Sequence, residues 1–453
     1  MENISLEQIL KYCGGQYFGK KEDLKKEVTG IVTDSRKTLP GNVFVPLKGE
    51  KTDGHKYIPQ VLAAGALASF SETELEGNPG NYILVKSALK AMQQIAASYR
   101  NGLGLKVVGI TGSVGKTSTK EMIASVLKER YNVHKTAGNF NNHIGLPLTI
   151  FDFKKEHEVG ILEMGISDFG EMHTLASIAN PDICVITNIG LCHLENLKTR
   201  DGILKAKTEC FYHMREKGTV ILNGLDDKLN TIKEVNGVAP VFYGREGDCA
   251  YASDVTDSGL LDIRIRLHLN GETREVTIPI PGKHNIYNAL AAACVGHVLG
   301  MELEEICRGI ENVKTIGGRS NLIHVKGMTL IDDCYNANPV SMKDSIDVLS
   351  KADGRKIAVL GDMGELGEKE NELHAQIGAY LSEKNIDCLF CTGELSREIA
   401  SEAKKNPRCT VAHFSSKEEL IPALLQEVKE GDTILIKASH FMEYPKIVEA
   451  LKM

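Results

Sequence analysis

Short apolar runs rich in branched residues recur along most of the chain, each followed by a polar or glycine-punctuated turn and then by apolar positions at helical spacing. The clearest instance is LKVVGITGSVGKTSTKEMIASVLKERY, from Leu105 to Tyr131. Val107, Val108 and Ile110 read as a buried strand, and Met122, Ile123, Val126 and Leu127 fall on one face of a helix. Further strand-like runs are EVGILEMG, DICVITNIG, MTLIDD, KIAVLG, IDCLFC and DTILIK. Their alternation with helical segments predicts an α/β protein built on parallel sheets. LDIRIRLHLNGETREVTI departs from that rhythm: Ile263, Ile265, Leu267 and Leu269 alternate with polar residues and the chain turns at Asn270-Gly271, which predicts an antiparallel hairpin. Near the start, Ser5 and Gln8 have capping-box spacing for a first helix, and Val43 to Leu47 reads as a strand between two polar loops.

At about 150 residues per domain, 453 residues make room for three. The pattern places a small α/β domain over residues 1–103 and a central P-loop, mononucleotide-binding α/β domain with the antiparallel addition over 104–316. A doubly wound, Rossmann-like domain follows over 317–453. Apolar residues make up 42% and charged residues 25%, the balance of a folded soluble protein. The net charge of −7 argues against a general nucleic-acid binder, which needs surplus Lys and Arg to neutralise phosphates. MENISLEQILKYC has neither a basic nor an apolar leader, and no run approaches the apolar length of a membrane span. A cytoplasmic protein without membrane insertion is therefore expected, with a monomer as the default. The eleven cysteines, odd in number and mostly set in apolar runs, read as reduced core thiols. Cys388 and Cys391 form one C-x-x-C without a second pair for zinc.

Candidate chemistry starts at the turn between the first clear strand and its helix. Gly112 to Thr117 spell G-x-x-G-K-T, although the strict P-loop spacing would need a glycine at position 110, where Ile110 stands. Glycine turns also join strands to helices where no nucleotide binds; the Lys-Thr pair and the flanking strand and helix decide for a nucleotide. Thr111, Gly112, Ser113, Val114, Gly115 and Ser118 then form a phosphate cradle, with Lys116 as a point charge and Thr117 as a hydroxyl for Mg²⁺. Asn139, Asn141 and Asn142 lie in a polar run that suits turns and polar ligands alike. Glu163 ends one strand and His193 follows another, so both should reach the crevice at the strand ends. A lone histidine is more often structural, and only this shared placement favours a site role. Lys207 sits on an apolar helical stripe, where a lysine could simply snorkel. Asp34, Ser35, Arg36, Lys48 and His55 flank the early strand and suit a phosphate or sugar, although solvated loop charge explains them equally well. DDCYNANP, GDMGELG and KASHFME follow three strands of the last domain and mark a second crevice.

In order along nearly the whole chain, DSRK with LKGEKTDGH, TGSVGKTSTK, GNFNNHIGLP, LEMG, TNIGLCHLE, AKTE, GKHNIYNALAA, DDCYNANP and LGDMGELGE resemble the motifs of the Mur ligase family. GNFNN-x-IG-x-P, YNANP and GDM-x-ELG point to the branch that adds D-alanyl-D-alanine to UDP-N-acetylmuramoyl-tripeptide. The resemblance implies a three-domain amide ligase using ATP and Mg²⁺ in peptidoglycan precursor synthesis. Its first domain would hold the UDP-linked substrate, its second ATP, and its third the dipeptide and part of the nucleotide. It implies that Lys116 contacts the β- and γ-phosphates, that Thr117 and Glu163 hold one Mg²⁺ and His193 a second, and that Lys207 carries a CO₂-derived carbamate that binds metal. Asn285, Asn288, Arg319 and Asp333 match positions around the nucleotide. Asp34, Ser35, Arg36, Lys48 and His55 match the UDP-substrate region, while the three asparagines and Tyr335, Asn336 and Asn338 are assigned to substrate. Ligands drawn from three domains imply closure around them and an open form in their absence. One departure stands out: where the family carries KGSRG-x-x-M this chain has KASHFMEY, with His440 in place of arginine, which bears on dipeptide affinity and its pH dependence. Competing expectations are a Mur-type ligase adding a single amino acid or D-Ala-D-lactate, and a nucleotide-binding relative that has lost ligation.

Overall fold

The computed structural model describes residues 1–49, 52–77 and 79–453, and three sheets organise them. The first runs Gln16–Phe18, Tyr82–Leu84, Ala68–Ser71, Asn42–Phe44, Gly30–Val32 and is parallel except at its first strand. The expected strand from Val43 to Leu47 is shorter, Asn42–Phe44, because Pro46 has no N–H to continue the ladder. The expected capping box at Ser5 and Gln8 is present. Helix Ala88–Gly102 leads out of this sheet, and its buried Met92, Ile95 and Tyr99 share one apolar core with Ile150, Phe153, Leu175 and Ile178 of the next segment. Tyr99 donates its hydroxyl to the Phe153 carbonyl at 2.7 Å, and the fully buried Arg100 donates to Ala179 at 2.7 Å and to Asp182 at 2.9 Å. The first two sheets are thus fastened together through that helix.

The central sheet has nine strands, with Lys106–Thr111 between Val159–Glu163 and Ile183–Ile186. Both neighbours run parallel to it, and the chain crosses to opposite sides of it, which opens a crevice at its C-terminal end. At the far edge Ile263–Leu269 and Glu272–Ile278 form the expected antiparallel hairpin, with Ile263, Ile265, Leu267 and Leu269 buried. Helix His284–Val298 packs on helix Lys116–Leu127 and has eleven of its fifteen residues buried, an arrangement helped by the four alanines and one glycine among them.

The C-terminal sheet runs Asn321–Val325, Met328–Asp332, Thr433–Lys437, Lys356–Gly361, Cys388–Thr392, Thr410–Phe414, all parallel after the first. Cys388 and Cys391 lie in one strand but belong to two different apolar cores, so they do not form a metal pair. The expected open arrangement is not the one observed. The Leu194 N–H donates to the Glu365 carbonyl at 3.1 Å, and Arg319 donates to the Thr117 hydroxyl at 3.4 Å, so loops of the C-terminal sheet rest on the central crevice. No helix among the described residues is long and apolar enough to cross a membrane.

Candidate active site

The strand Lys106–Thr111 ends in a four-residue turn that feeds helix Lys116–Leu127. Glycine is required twice in that turn. Gly112 has φ +150°, and a Cβ there would sit 1.9 Å from Thr187 Oγ1; Gly115 has φ +83° at the helix N-cap. The loop after Ile183–Ile186 fastens the turn. Asn188 accepts from the Val114 N–H at 2.9 Å and from the Ser113 N–H at 3.0 Å, and the Thr187 hydroxyl donates to the Val114 carbonyl at 2.6 Å. What results is a preformed concave loop at the positive end of a helix, a ready anion site. Lys116 folds over it, donating to the Gly112 carbonyl at 2.8 Å.

Sheet register then places the carboxylate. Ile110 pairs with Glu163 across the parallel ladder, so Glu163 emerges beside the turn, 2% exposed. Its two oxygens accept from the Thr117 hydroxyl at 3.2 and 3.0 Å, and one also accepts from Asn141 Nδ2 at 2.9 Å. Buried Lys120 balances its charge from 3.5 Å. A hydroxyl and a carboxylate at this separation are hard oxygen donors, and the pair fits Mg²⁺. Lys207 is fully buried, so it does not snorkel, and its Nζ has no hydrogen-bond partner among the described residues. Removal from water, with the charge of Lys116 adding to it, pushes its pKa down to about 8. An unpaired amine that deprotonates this readily is the form in which a lysine takes up CO₂, so the position fits the implied carbamate. His193 opens the short helix Leu194–Leu197 with φ +50°, its Nδ1 2.6 Å from Glu365 Oε2.

A cavity of about 370 Å³ gathers these groups. From the central segment Ser113 to Thr117, Asn141, Asn142, Glu163 and His193 line it; from the C-terminal segment Arg319, Tyr335, Asn336 and Asn338 do. The Arg319 guanidinium lies 4.0 Å from the Tyr335 ring centre, a cation–π contact that holds both at the junction. Two smaller clefts, of about 20 and 50 Å³, share Ser118 and Arg319 and reach Asn285 and Asp333 respectively. At Asp333 burial opposes the charge, but Lys437 at 2.5 Å and the Ser345 hydroxyl outweigh it and hold the pKa below its ordinary value.

Some expected residues lie elsewhere. Asn139 is exposed and does not line the cavity. Asn288 is buried behind the cradle, accepting from Thr119 at 2.8 Å and donating to Asn285 at 2.8 Å, so it props the helix instead of facing a ligand. Thr111 is buried at the strand end and Lys207 beneath the cavity, and neither lines it. The loops bearing Asp34, Ser35 and Arg36 and Lys48 and His55 follow adjacent parallel strands at one end of the first sheet, away from the cavity lining. There Arg36 donates twice to Asp34, at 2.9 and 2.8 Å, and pulls its pKa down to about 2, while Asp53 accepts from the His55 N–H at 2.9 Å. Seven lining residues lie outside the candidates, four of them with polar or ionisable side chains, His143, Ser167, Glu171 and Ser341, and three without, Gly165, Ile166 and Leu175. His143 follows the asparagines directly and could have been found by extending that run, whereas Ser167, Glu171 and Ser341 had no signal of their own.

Family models match three successive parts of the chain: "Mur ligase family, catalytic domain" over residues 27–100, "Mur ligase middle domain" over 110–296, and "Mur ligase, glutamate ligase domain" over 318–440. A UDP-N-acetylmuramoyl-tripeptide–D-alanyl-D-alanine ligase from Bacillus subtilis (strain 168) is 40% identical over 431 residues, covering 94% of this chain and 93% of that one. The chain belongs to the Mur ligase family. This Mur ligase shares its three-domain α/β fold with crystal structure I of MurF from Acinetobacter baumannii, at a TM-score of 0.92 and 31% identity over 100% of this chain and 99% of that one. The MurF ligase from Thermotoga maritima in complex with ADP matches at a TM-score of 0.84 and 31% identity, over 94% and 97%.

Proposed function

We propose that this Mur ligase joins D-alanyl-D-alanine to the terminal carboxylate of UDP-N-acetylmuramoyl-tripeptide, cleaving ATP to ADP and phosphate, in cytoplasmic assembly of a peptidoglycan precursor. One observation carries the reading: Lys116, Thr117 and Glu163 share a single cavity with Tyr335, Asn336 and Asn338 of the C-terminal segment. A phosphoryl donor held by one sheet there meets an acceptor brought by another. The activity for which the Bacillus subtilis relative is named supports the choice of substrates.

A carboxylate is a poor acyl donor. Its oxygen therefore bonds first to the γ-phosphorus as the bond to ADP breaks, giving an acyl phosphate. The dipeptide amine then attacks the acyl carbon to give a tetrahedral intermediate, from which phosphate leaves with that oxygen as the nitrogen gives up a proton. Two anions must approach in the first step, and Lys116 at the helix N-terminus, with Arg319 opposite, offsets their repulsion. Mg²⁺, held by Thr117 and Glu163 and at a second position by His193 and carbamylated Lys207, would neutralise further phosphate charge. Loops of the C-terminal sheet cover the cavity and keep water from the acyl phosphate. Ser118, Asn285, Arg319 and Asp333 border the clefts that would take the rest of the nucleotide. Ser35, Arg36, Lys48 and His55 suit the UDP end of the other substrate, and segments 1–103, 104–316 and 317–453 divide these tasks. Asn141 and Asn142 would meet the peptide. His440, its ring 5.6 Å from that of Tyr335, stands at the dipeptide side of the cavity. The test is release of ADP and phosphate with Mg·ATP, UDP-N-acetylmuramoyl-tripeptide and D-alanyl-D-alanine, omitting each in turn: turnover should require all three. Turnover with a single amino acid in place of the dipeptide would favour another Mur-type activity.

A further inference from the structure

The loop GDMGELG follows strand Lys356–Gly361 and supplies none of the groups used above, yet it makes the tightest polar contact between the central and C-terminal segments near the cavity. Two features coincide there. His193 and Glu365 are both non-glycine residues in the left-handed region, with φ +50° and +62°, a backbone state that costs free energy and persists where the surroundings enforce it. They also face each other. His193 Nδ1 lies 2.6 Å from Glu365 Oε2, and the next residue's N–H donates to the Glu365 carbonyl at 3.1 Å. The two atoms are close but not aligned for a hydrogen bond among the described residues, and such contacts in a site often align only when substrates bind. Glu365 itself does not line the cavity, whereas His193 does. A proton held on Nδ1 by the carboxylate leaves Nε2 as the nitrogen able to offer a lone pair, the carboxylate–histidine arrangement that orients metal-binding imidazoles.

We propose that Glu365 is a positioning residue for His193: it fixes the ring proton on Nδ1 and turns Nε2 toward a divalent cation, so that the cation site is complete only when the C-terminal segment is docked on the central one. The proposal rests on the reading of His193 as a cation ligand. It assigns a task to the second strand-end loop of the C-terminal sheet, and it makes docking and cation binding report on each other.

The test uses the full chain with ADP and Mn²⁺ as the probe, since Mn²⁺ is paramagnetic and accepts imidazole more readily than Mg²⁺ does. Electron spin-echo envelope modulation detects ¹⁴N bound directly to Mn²⁺, and a Mn²⁺ titration gives its affinity. Four proteins are compared: the parent, His193→Ala, Glu365→Gln and Glu365→Asn. Asparagine tolerates the left-handed backbone, and the Glu365 side chain is 55% exposed, so both Glu365 variants should keep the loop. The parent should show the ¹⁴N modulation and His193→Ala should lose it. Both Glu365 variants should show weakened modulation and bind Mn²⁺ about 10- to 100-fold less tightly. If His193→Ala loses the modulation while both Glu365 variants keep parental modulation and affinity, Glu365 does not position the ring. If His193→Ala keeps the modulation, the ligand role of His193 falls and the proposal falls with it.

Discussion

Lys207 is the residue whose environment says most about its task. A buried amine without a partner is costly as an ammonium, and the cavity above it already holds the charge of Lys116. A carbamate inverts that sign and supplies oxygens for metal. Lys207→Ala should therefore lose about 100-fold in turnover and regain part of it with added formate or acetate, while Lys207→Arg, permanently cationic, should not be rescued. Steady-state rates with and without the small carboxylate check this; equal rescue of both variants would remove the carbamate. At this scale the sequence was informative wherever a residue type and its place at a strand end coincided, as for Lys116, Thr117, Glu163 and His193. It was silent about partners brought by distant segments. Lys120 beside Glu163, Lys437 beside Asp333 and Glu365 beside His193 meet only through the fold, and nothing in the spacing of the two partners announces the pairing. Lys207 admits two readings, snorkelling or functional, and complete burial removes the first.

The elements that hold the site depend on close backbone approach. A Cβ at Gly309 would lie 2.3 Å from Val126 Cα, so helix Leu303–Glu311 lies directly on the helix that follows the phosphate cradle. Gly309→Ala should destabilise the protein by about 1–3 kcal/mol in urea unfolding, by forcing the two helices apart. In the C-terminal sheet, buried His374 accepts from the Met363 N–H at 2.9 Å and so pins the start of the GDMGELG loop. Burial lowers its pKa below 6.5, so the unfolded chain binds the extra proton first as pH falls. Its contribution to stability is thus intact above pH 6.5 and declines below that value. Thermal unfolding from pH 7.5 down to about 5 should show that His374→Gln has a shallower loss of stability than the parent; parallel curves would contradict this. Elements were legible in proportion to the regularity of their burial. The hairpin strand Ile263–Leu269 alternates buried with more exposed positions and is legible, as are Lys106–Thr111 and Lys356–Gly361, whereas the buried Ala68–Ser71, with two serines among its four residues, is not. Asn321–Val325 and Thr410–Phe414 are half-buried edge strands with no period to read, and both went unseen.

The whole molecule is three sheets, of which the second and third meet at one cavity; the first is joined to the second by a shared apolar core, and the third is docked through Arg319, Glu365 and the packing of Leu191, Leu194 and Leu260 on its core. The layout of three α/β units was legible because each carries its own series of strand-like runs. The docking was not, since it depends on residues far apart in the chain, Leu191, Leu194 and Leu260 against the C-terminal core and a few polar pairs between loops. The central claim is that the cavity passes the γ-phosphoryl group of ATP to a carboxylate before the amide bond forms. UDP-N-acetylmuramoyl-tripeptide labelled with ¹⁸O in both oxygens of its terminal carboxylate tests it directly, with the released phosphate analysed by mass spectrometry after turnover with D-alanyl-D-alanine. One ¹⁸O should appear in the phosphate for each amide bond formed, and Lys116→Ala should lose turnover. Phosphate free of ¹⁸O, with the amide still formed, would contradict it.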